Sequence, residues 1–217
     1  MRSPGEDLHA GLDTGWILPE HDARTAVHTR SIVCRSFRRD DGGFDIDARF
    51  VDTRAFAYHS TWRGDCEAGA ALHHMQIRVT IDRKRTILAL HAAMPATPYD
   101  TCPSVQANFQ RLVGLSLARG FRKAMRERIG GGEGCTHVLA LMDAVSAAAV
   151  QTIVSTGHAA GQSDTTRRRG VYGLDELENT CWSYRSESPI LLRMREMADA
   201  QAAAPTAPPP HPPGAPS

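Results

Sequence analysis

Two stretches of strict alternation constrain this chain more than any other feature. Between Phe44 and Val51, the residues Phe44, Ile46, Ala48 and Phe50 fall on one side and Asp45, Asp47, Arg49 and Val51 on the other. Between His74 and Ile81, Met75, Ile77, Val79 and Ile81 alternate with His74, Gln76, Arg78 and Thr80. Successive side chains of a strand point to opposite faces, so a period of two describes half-buried strands and not helix. Asp40, Asp41, Gly42 and Gly43 tolerate left-handed dihedrals, which predicts a hairpin joining an extended segment at 27–39 to the first alternating strand. Asp82–Arg85 turns the chain into a further strand at 86–93, ending before Pro95 and Pro98. Residues 54–62 offer a short strand, and 64–69 reads as a loop.

After Pro103 the period changes. Phe109, Val113, Leu117 and Phe121 recur every four residues and predict a helix over most of 104–128, with Gly114 and Gly120 as its weak points. Gly130, Gly131 and Gly132 end it, and a second helix starts near Thr136, burying Val138, Leu141, Met142, Val145 and Ala149. The expected fold is therefore α+β: a four- or five-stranded, mainly antiparallel sheet with two principal helices packed on one face. One core suffices for 217 residues. It is expected over 25–200, between a loosely ordered arm at 1–24 and a Pro/Ala-rich tail at 201–217 that is too poor in apolar residues to fold. Leu191–Ala203 favours helix, 158–170 a loop, and 174–185 fits either a short helix or an extended segment.

Composition excludes some function classes. With 25 basic and 24 acidic residues, the formal charge of +1 gives no global field for nucleic acid or an anionic membrane, so the expected partner is a small-molecule substrate. Apolar runs look too short to span a bilayer, and MRSPGEDLHAGLDTGW lacks the apolar stretch of a secretory signal. Five widely spaced cysteines do not resemble a disulfide framework. The expectation is a cytoplasmic protein with reduced thiols.

The segment Gly130-Gly-Gly-Glu-Gly-Cys135-Thr-His137 leads a glycine-rich link into a helix, where free amides and the helix dipole suit an anion. The same glycines also serve simply to end one helix and start the next. Cys135 and His137 stand where a thiolate nucleophile or a metal ligand would be favoured, provided Cys135 still lies in the loop. A buried cysteine and a hydrogen-bonded histidine would look no different in sequence. Cys102, Cys135 and His137, with His73, offer mixed nitrogen and sulfur donors suited to zinc or another divalent metal. Around the first hairpin, His28, Arg30, Arg38, Arg39, Asp40, Asp41, Asp45, Asp47 and Asp52 concentrate charge that either grips a carboxylate substrate or pairs across strands. Tyr99 is either an acid or a packing residue.

HTR at 28–30, RRDDGGFDID at 38–47, Asp52-Thr53, LHHMQIRVTID at 72–82, PYDTC at 98–102 and the Gly131–His137 run together resemble a bacterial family catalogued only as a domain of unknown function, over about residues 25–185. The resemblance singles out His28, Arg30, Arg38, Asp41, Asp45, Asp52, His73, Tyr99, Cys102, Cys135 and His137, and prefers His73 to His74. It also implies a setting in the catabolism of aromatic or steroid-like compounds. The reading that follows is a lyase or hydrolase acting on an oxygenated aromatic or related compound by acid/base chemistry, with metal assistance as a variant. In it, His73 or His137 moves the proton, Tyr99 donates to an oxyanion, and Arg30 or Arg38, with His28 and Asp41, holds the substrate. The alternative is a noncatalytic metabolite-binding protein or an accessory to a catabolic enzyme system.

Overall fold

In the computed structural model, residues 22–159 and 178–203 are described, so the expected tail beyond 203 and nearly all of the arm lie outside the described residues. The two alternating segments become the long strands β2 (Phe44–Arg54) and β5 (Ala71–Ile81), flanked by β1 (His28–Arg38) and β6 (Ile87–Ala96). The sheet is antiparallel throughout, in the order β1-β2-β5-β6. The apolar phase of β2 and β5 is buried as the alternation requires: Phe44, Ile46, Phe50, Val79 and Ile81 are all at 2% exposure or less. Two short strands, β3 (Tyr58–Ser60) and β4 (Gly64–Cys66), pair as a separate hairpin, so the segment expected as a loop at 64–69 contributes a strand instead.

Helical structure covers the apolar face. Helix α2 (Thr136–Ala159) lies across β1, β2 and β5 and buries Val138, Leu141, Met142, Val145 and Ala149 against them. It is also pinned through Thr152, whose hydroxyl donates to Ser36 of β1 at 2.6 Å. The stretch Thr136–Ile153 has a mean hydropathy of 1.3, so by length and composition α2 does reach what a bilayer span requires, contrary to expectation. Here its apolar side is used on the sheet.

The helix expected over 104–128 is broken into two pieces. A 3-10 helix at Cys102–Leu112 packs on β6, and α1 (Phe121–Ile129) packs on that 3-10 segment and on α2. Between them the backbone is diverted into strand-like bonds with the start of β6. The Ile87 amide donates to the Leu115 carbonyl and the Gly114 amide to the Ile87 carbonyl, both at 2.8 Å. Gly114 and Gly120, with φ of 86° and 90°, make the two left-handed turns that this detour needs. Phe109, Leu117 and Phe121 still reach the core, because the detour keeps them on the inner side. Beyond 178, a 3-10 turn at Trp182–Tyr184 precedes α3 (Pro189–Ala203), in line with the helix expected at 191–203.

The glycine-rich link between α1 and α2 owes two of its glycines to close approach. A Cβ on Gly134 would sit 1.9 Å from the Ile129 carbonyl oxygen, and one on Gly130 would sit 2.3 Å from that of Arg126. The link folds flat onto the last turn of α1, which fixes where α2 begins. Gly132 has open space instead. Gly134→Ala is therefore expected to lower stability by roughly 1–3 kcal/mol and Gly132→Ala to stay within about 0.5 kcal/mol, measured by urea unfolding. Equal effects at the two positions would contradict this packing.

Candidate functional site

The buried phase of β2 does not stop at Phe50. The next residue in phase is Asp52, a carboxylate with 2% exposure at the end of an apolar row. The neighbouring strands continue their inner phases to the same level, and the register aligns Arg30 of β1, Asp52 of β2 and His73 of β5 side by side. The β2–β5 pairing becomes irregular between Asp52 and Thr53, so this row is the last regular one at that end. The α1–α2 link arrives above it. The Cys135 carbonyl accepts the amide of Leu139 at 3.0 Å, placing Cys135 at the helix cap and His137 in the first turn of α2.

Asp52 is gripped from several sides. Arg30 donates to it twice, from Nε to Oδ1 at 2.8 Å and from Nη2 to Oδ2 at 2.9 Å. The His28 Nε2 is 3.0 Å from Oδ1. On the other oxygen, His73 Nδ1 stands 3.2 Å and His137 Nε2 3.9 Å from Oδ2. Off the hydrogen-bond direction, that His73 nitrogen is buried without a well-aligned partner. The two imidazoles lie against each other with centroids 3.8 Å apart, tilted by 35°, and His137 also meets the Phe50 ring edge-on at 5.1 Å. Cys135 Sγ sits 3.7 Å from the remaining His137 nitrogen, Nδ1. The His73 Nε2 has no partner among the described residues.

Burial alone would raise the pKa of the Asp52 carboxyl, but the hydrogen bonds and charge of Arg30, helped by His28 and His73, outweigh it and hold the carboxyl below its ordinary value. For His73, burial and then the neighbouring His137 push the imidazole below its ordinary value, against the pull of Asp52. Burial does the same to His137. The cluster thus holds an ionised carboxylate beneath two neutral imidazoles at neutral pH, with edges of both rings reaching the surface.

Of the residues singled out from sequence, the structure gathers His28, Arg30, His73 and His137, with Cys135 at their margin. It places Arg38 and Asp41 elsewhere. Arg38 is eight residues from Arg30 along an extended strand, roughly 26 Å away, and Asp41 shapes the hairpin turn by accepting from Arg39 and from the Gly43 amide. A substrate held at Arg38 would not reach the histidines. Tyr99 follows β6, whose Ala96 pairs with His74, so it lies at the cluster's end of the sheet, half exposed and edge-on to Trp62 at 6.1 Å. Cys102 starts the 3-10 helix. The group of metal-ligand spacing among the described residues is Asp52, His73 and His137, not the set with Cys102 and Cys135. Asp52 stands among the charged residues of the first hairpin and in the resemblance, and its phase with Phe50 is the signal that it lies on the inner face.

Both imidazoles take up protons less readily folded than in an unfolded chain, where a histidine titrates near ~6.5. Above that pH neither state binds these protons. Below it the unfolded chain binds them first, so stability is expected to fall from about pH 6.5 downward as the folded values are approached. In chelator-dialysed protein, the urea midpoint should decline between pH 7 and pH 5 and the decline should flatten in the His73→Gln/His137→Gln double variant. Parallel profiles would show that the rings are not held neutral. Arg30→Met should cost about 2–3 kcal/mol by leaving a buried carboxylate underpaired, and much of that loss should disappear in the Asp52→Asn background.

Residues 28–151, from the start of β1 to late α2, match the family model described as protein of unknown function (DUF2889). No curated protein and no solved structure gives a significant match.

Proposed function

The chain belongs to the DUF2889 family, whose matched span contains every member of the Asp52 cluster, and we propose that this cluster is the reaction centre of a small-molecule lyase or hydrolase. The observation that carries the reading is the stack of two half-buried imidazoles, 3.8 Å apart, over a carboxylate that Arg30 holds in place. A carboxylate so fixed stabilises an imidazolium as it forms, which is what a group that takes up and returns a proton needs. His73 is the better placed of the two rings. Its Nδ1 faces Asp52 and leaves Nε2 toward the substrate, whereas His137 has Asp52 beyond one nitrogen and Cys135 beyond the other.

In this reading His73 Nε2 takes a proton from water or from the substrate and returns it to the departing group. Arg30 does not bind the substrate carboxylate, because the Nε and Nη2 of its fork are committed to Asp52. The exposed Trp62–Tyr99 pair at the same end of the sheet suits the face of an oxygenated aromatic compound, to which the Tyr99 hydroxyl would donate in this reading. The setting in aromatic catabolism comes from the family resemblance and belongs to this proposal, as does a cytoplasmic location.

The same aromatic pair supports a second reading, a noncatalytic accessory protein whose partner covers Trp62 and Tyr99, since Trp62 is 68% exposed. The two part company in one experiment. Purified protein is incubated with a panel of hydroxylated and carboxylated aromatic esters and hydroxy acids, with turnover followed by absorbance and mass spectrometry. Turnover that falls at least ~100-fold in His73→Ala, with the circular dichroism spectrum retained, is the expected result. Turnover that persists in His73→Ala would remove this centre from consideration, and a panel bound but not converted would favour the accessory role.

A further inference from the structure

We infer that Asp52, His73 and His137 form a binding site for one divalent transition-metal ion of the zinc or ferrous class. The inference deepens the reaction centre proposed above: with Nδ1 on the ion, His73 Nε2 would carry the ring proton, so in the loaded site an ion-bound water, and not His73, would be the base; this catalytic meaning rests on that reading, while occupancy of the site does not.

Three observations converge on it. The first is the donor set. One carboxylate oxygen and two imidazole nitrogens from β2, β5 and α2 all lie within 4.8 Å of one another. Two nitrogens and an anionic oxygen favour a first-row transition ion over magnesium or calcium, which prefer oxygen alone. Ligands at about 2.0–2.2 Å from a metal stand roughly 3–3.5 Å from each other. His73 Nδ1 already meets that spacing at 3.2 Å from Oδ2, and His137 Nε2, at 3.9 Å, would move closer on binding.

The second observation is the unused bonding capacity of Asp52. A carboxylate offers about four lone-pair directions. Arg30 occupies one on each oxygen, and His28 takes a second on Oδ1. What remains is on Oδ2, the oxygen that both other imidazoles face. Nδ1 of His73 is the matching vacancy on the ligand side: a buried nitrogen, close to that oxygen but without an aligned hydrogen bond. Coordination to a shared ion satisfies both atoms at once, which a proton between them does not at this angle.

The third observation is support. Metal-binding carboxylates and histidines are held by neighbours that set their orientation. Here Arg30 clamps the carboxylate and Phe50 meets His137 edge-on. Three protein ligands leave coordination positions free, the arrangement of catalytic and not structural sites. His73 and His137 are 12% and 22% exposed, so the free positions open toward the surface, where substrate or water can enter. An ion there would polarise a carbonyl or lower the pKa of a bound water, the chemistry a lyase or hydrolase needs.

The test uses the full chain, stripped with chelator and titrated calorimetrically with Zn²⁺, and with Fe²⁺ under anaerobic conditions, while Co²⁺ reports the ligands by its visible spectrum. One equivalent should bind, with Co²⁺ bands of nitrogen and oxygen ligation and no thiolate charge-transfer band. His137→Gln, which leaves the Arg30–Asp52 pair intact, should weaken affinity at least ~10–100-fold, and Asp52→Asn should do the same wherever its circular dichroism matches wild type. Cys135→Ser and Cys102→Ser should leave affinity unchanged. Absence of stoichiometric binding for all three ions, binding that survives His137→Gln, or binding lost in Cys135→Ser would each overturn the site. Metal bound by a chain that converts nothing in the aromatic panel would keep the site and discard the reaction centre; turnover undiminished in metal-free protein would keep the reaction centre and discard the ion as its cofactor.

Discussion

A carboxylate with almost no exposure cannot stay ionised at the end of an apolar sheet face unless its charge is answered locally. Burying such an ion costs several kcal/mol, and the cost is met here by the forked contact of Arg30 and by His28 on Oδ1. The side chains at this end of the molecule take their positions from that requirement. Arg30 must cross from β1, His73 must turn inward from β5, and α2 must begin low enough for His137 to come down onto the row. The site is in this sense the solution to a solvation problem that the strand alternation sets.

The scaffold supplies what that solution needs. Antiparallel register delivers three polar residues from three strands to one level without any loop having to reach for them. The glycine link then fixes the start of α2 by lying against the end of α1, so the fourth participant is placed by backbone packing and not by its own contacts. Sites carried on regular elements hold their geometry better than sites on loops. The hydrophobic core below the row, with Phe50 and Met75 immediately beneath it, keeps the row from relaxing inward.

Much of this was legible in the chain before any coordinates. Period two named β2 and β5, the Asp-Gly turn named the hairpin with β1, and the apolar face of α2 could be read residue by residue. Carrying the same arithmetic one step further would have put Asp52 in phase with Phe50, and His73 in phase with Met75, on the inner face. What sequence could not supply was the pairing register, because an alternating strand fits its neighbour equally well at several even shifts. Without register, Arg38 and Asp41 look as close to the histidines as Arg30 does. The broken helix was missed for a different reason. The four-residue repeat from Phe109 to Phe121 is honoured in burial, except at Val113, but the competing partners of its backbone lie in β6 and leave no local mark.

The clamp on Asp52 comes from β1, and β1 is an edge strand with a single hydrogen-bonded neighbour in the sheet. Ser36, near its C-terminal end, is tied to α2, whereas His28 and Arg30 stand toward the opposite end. Fraying of a few terminal residues, the cheapest opening a sheet can undergo, would withdraw both Arg30 and His28 from the carboxylate while β2, β5 and α2 kept their places. Amide exchange at the start of β1 would then be a direct readout of how often the cluster loses its counter-charge.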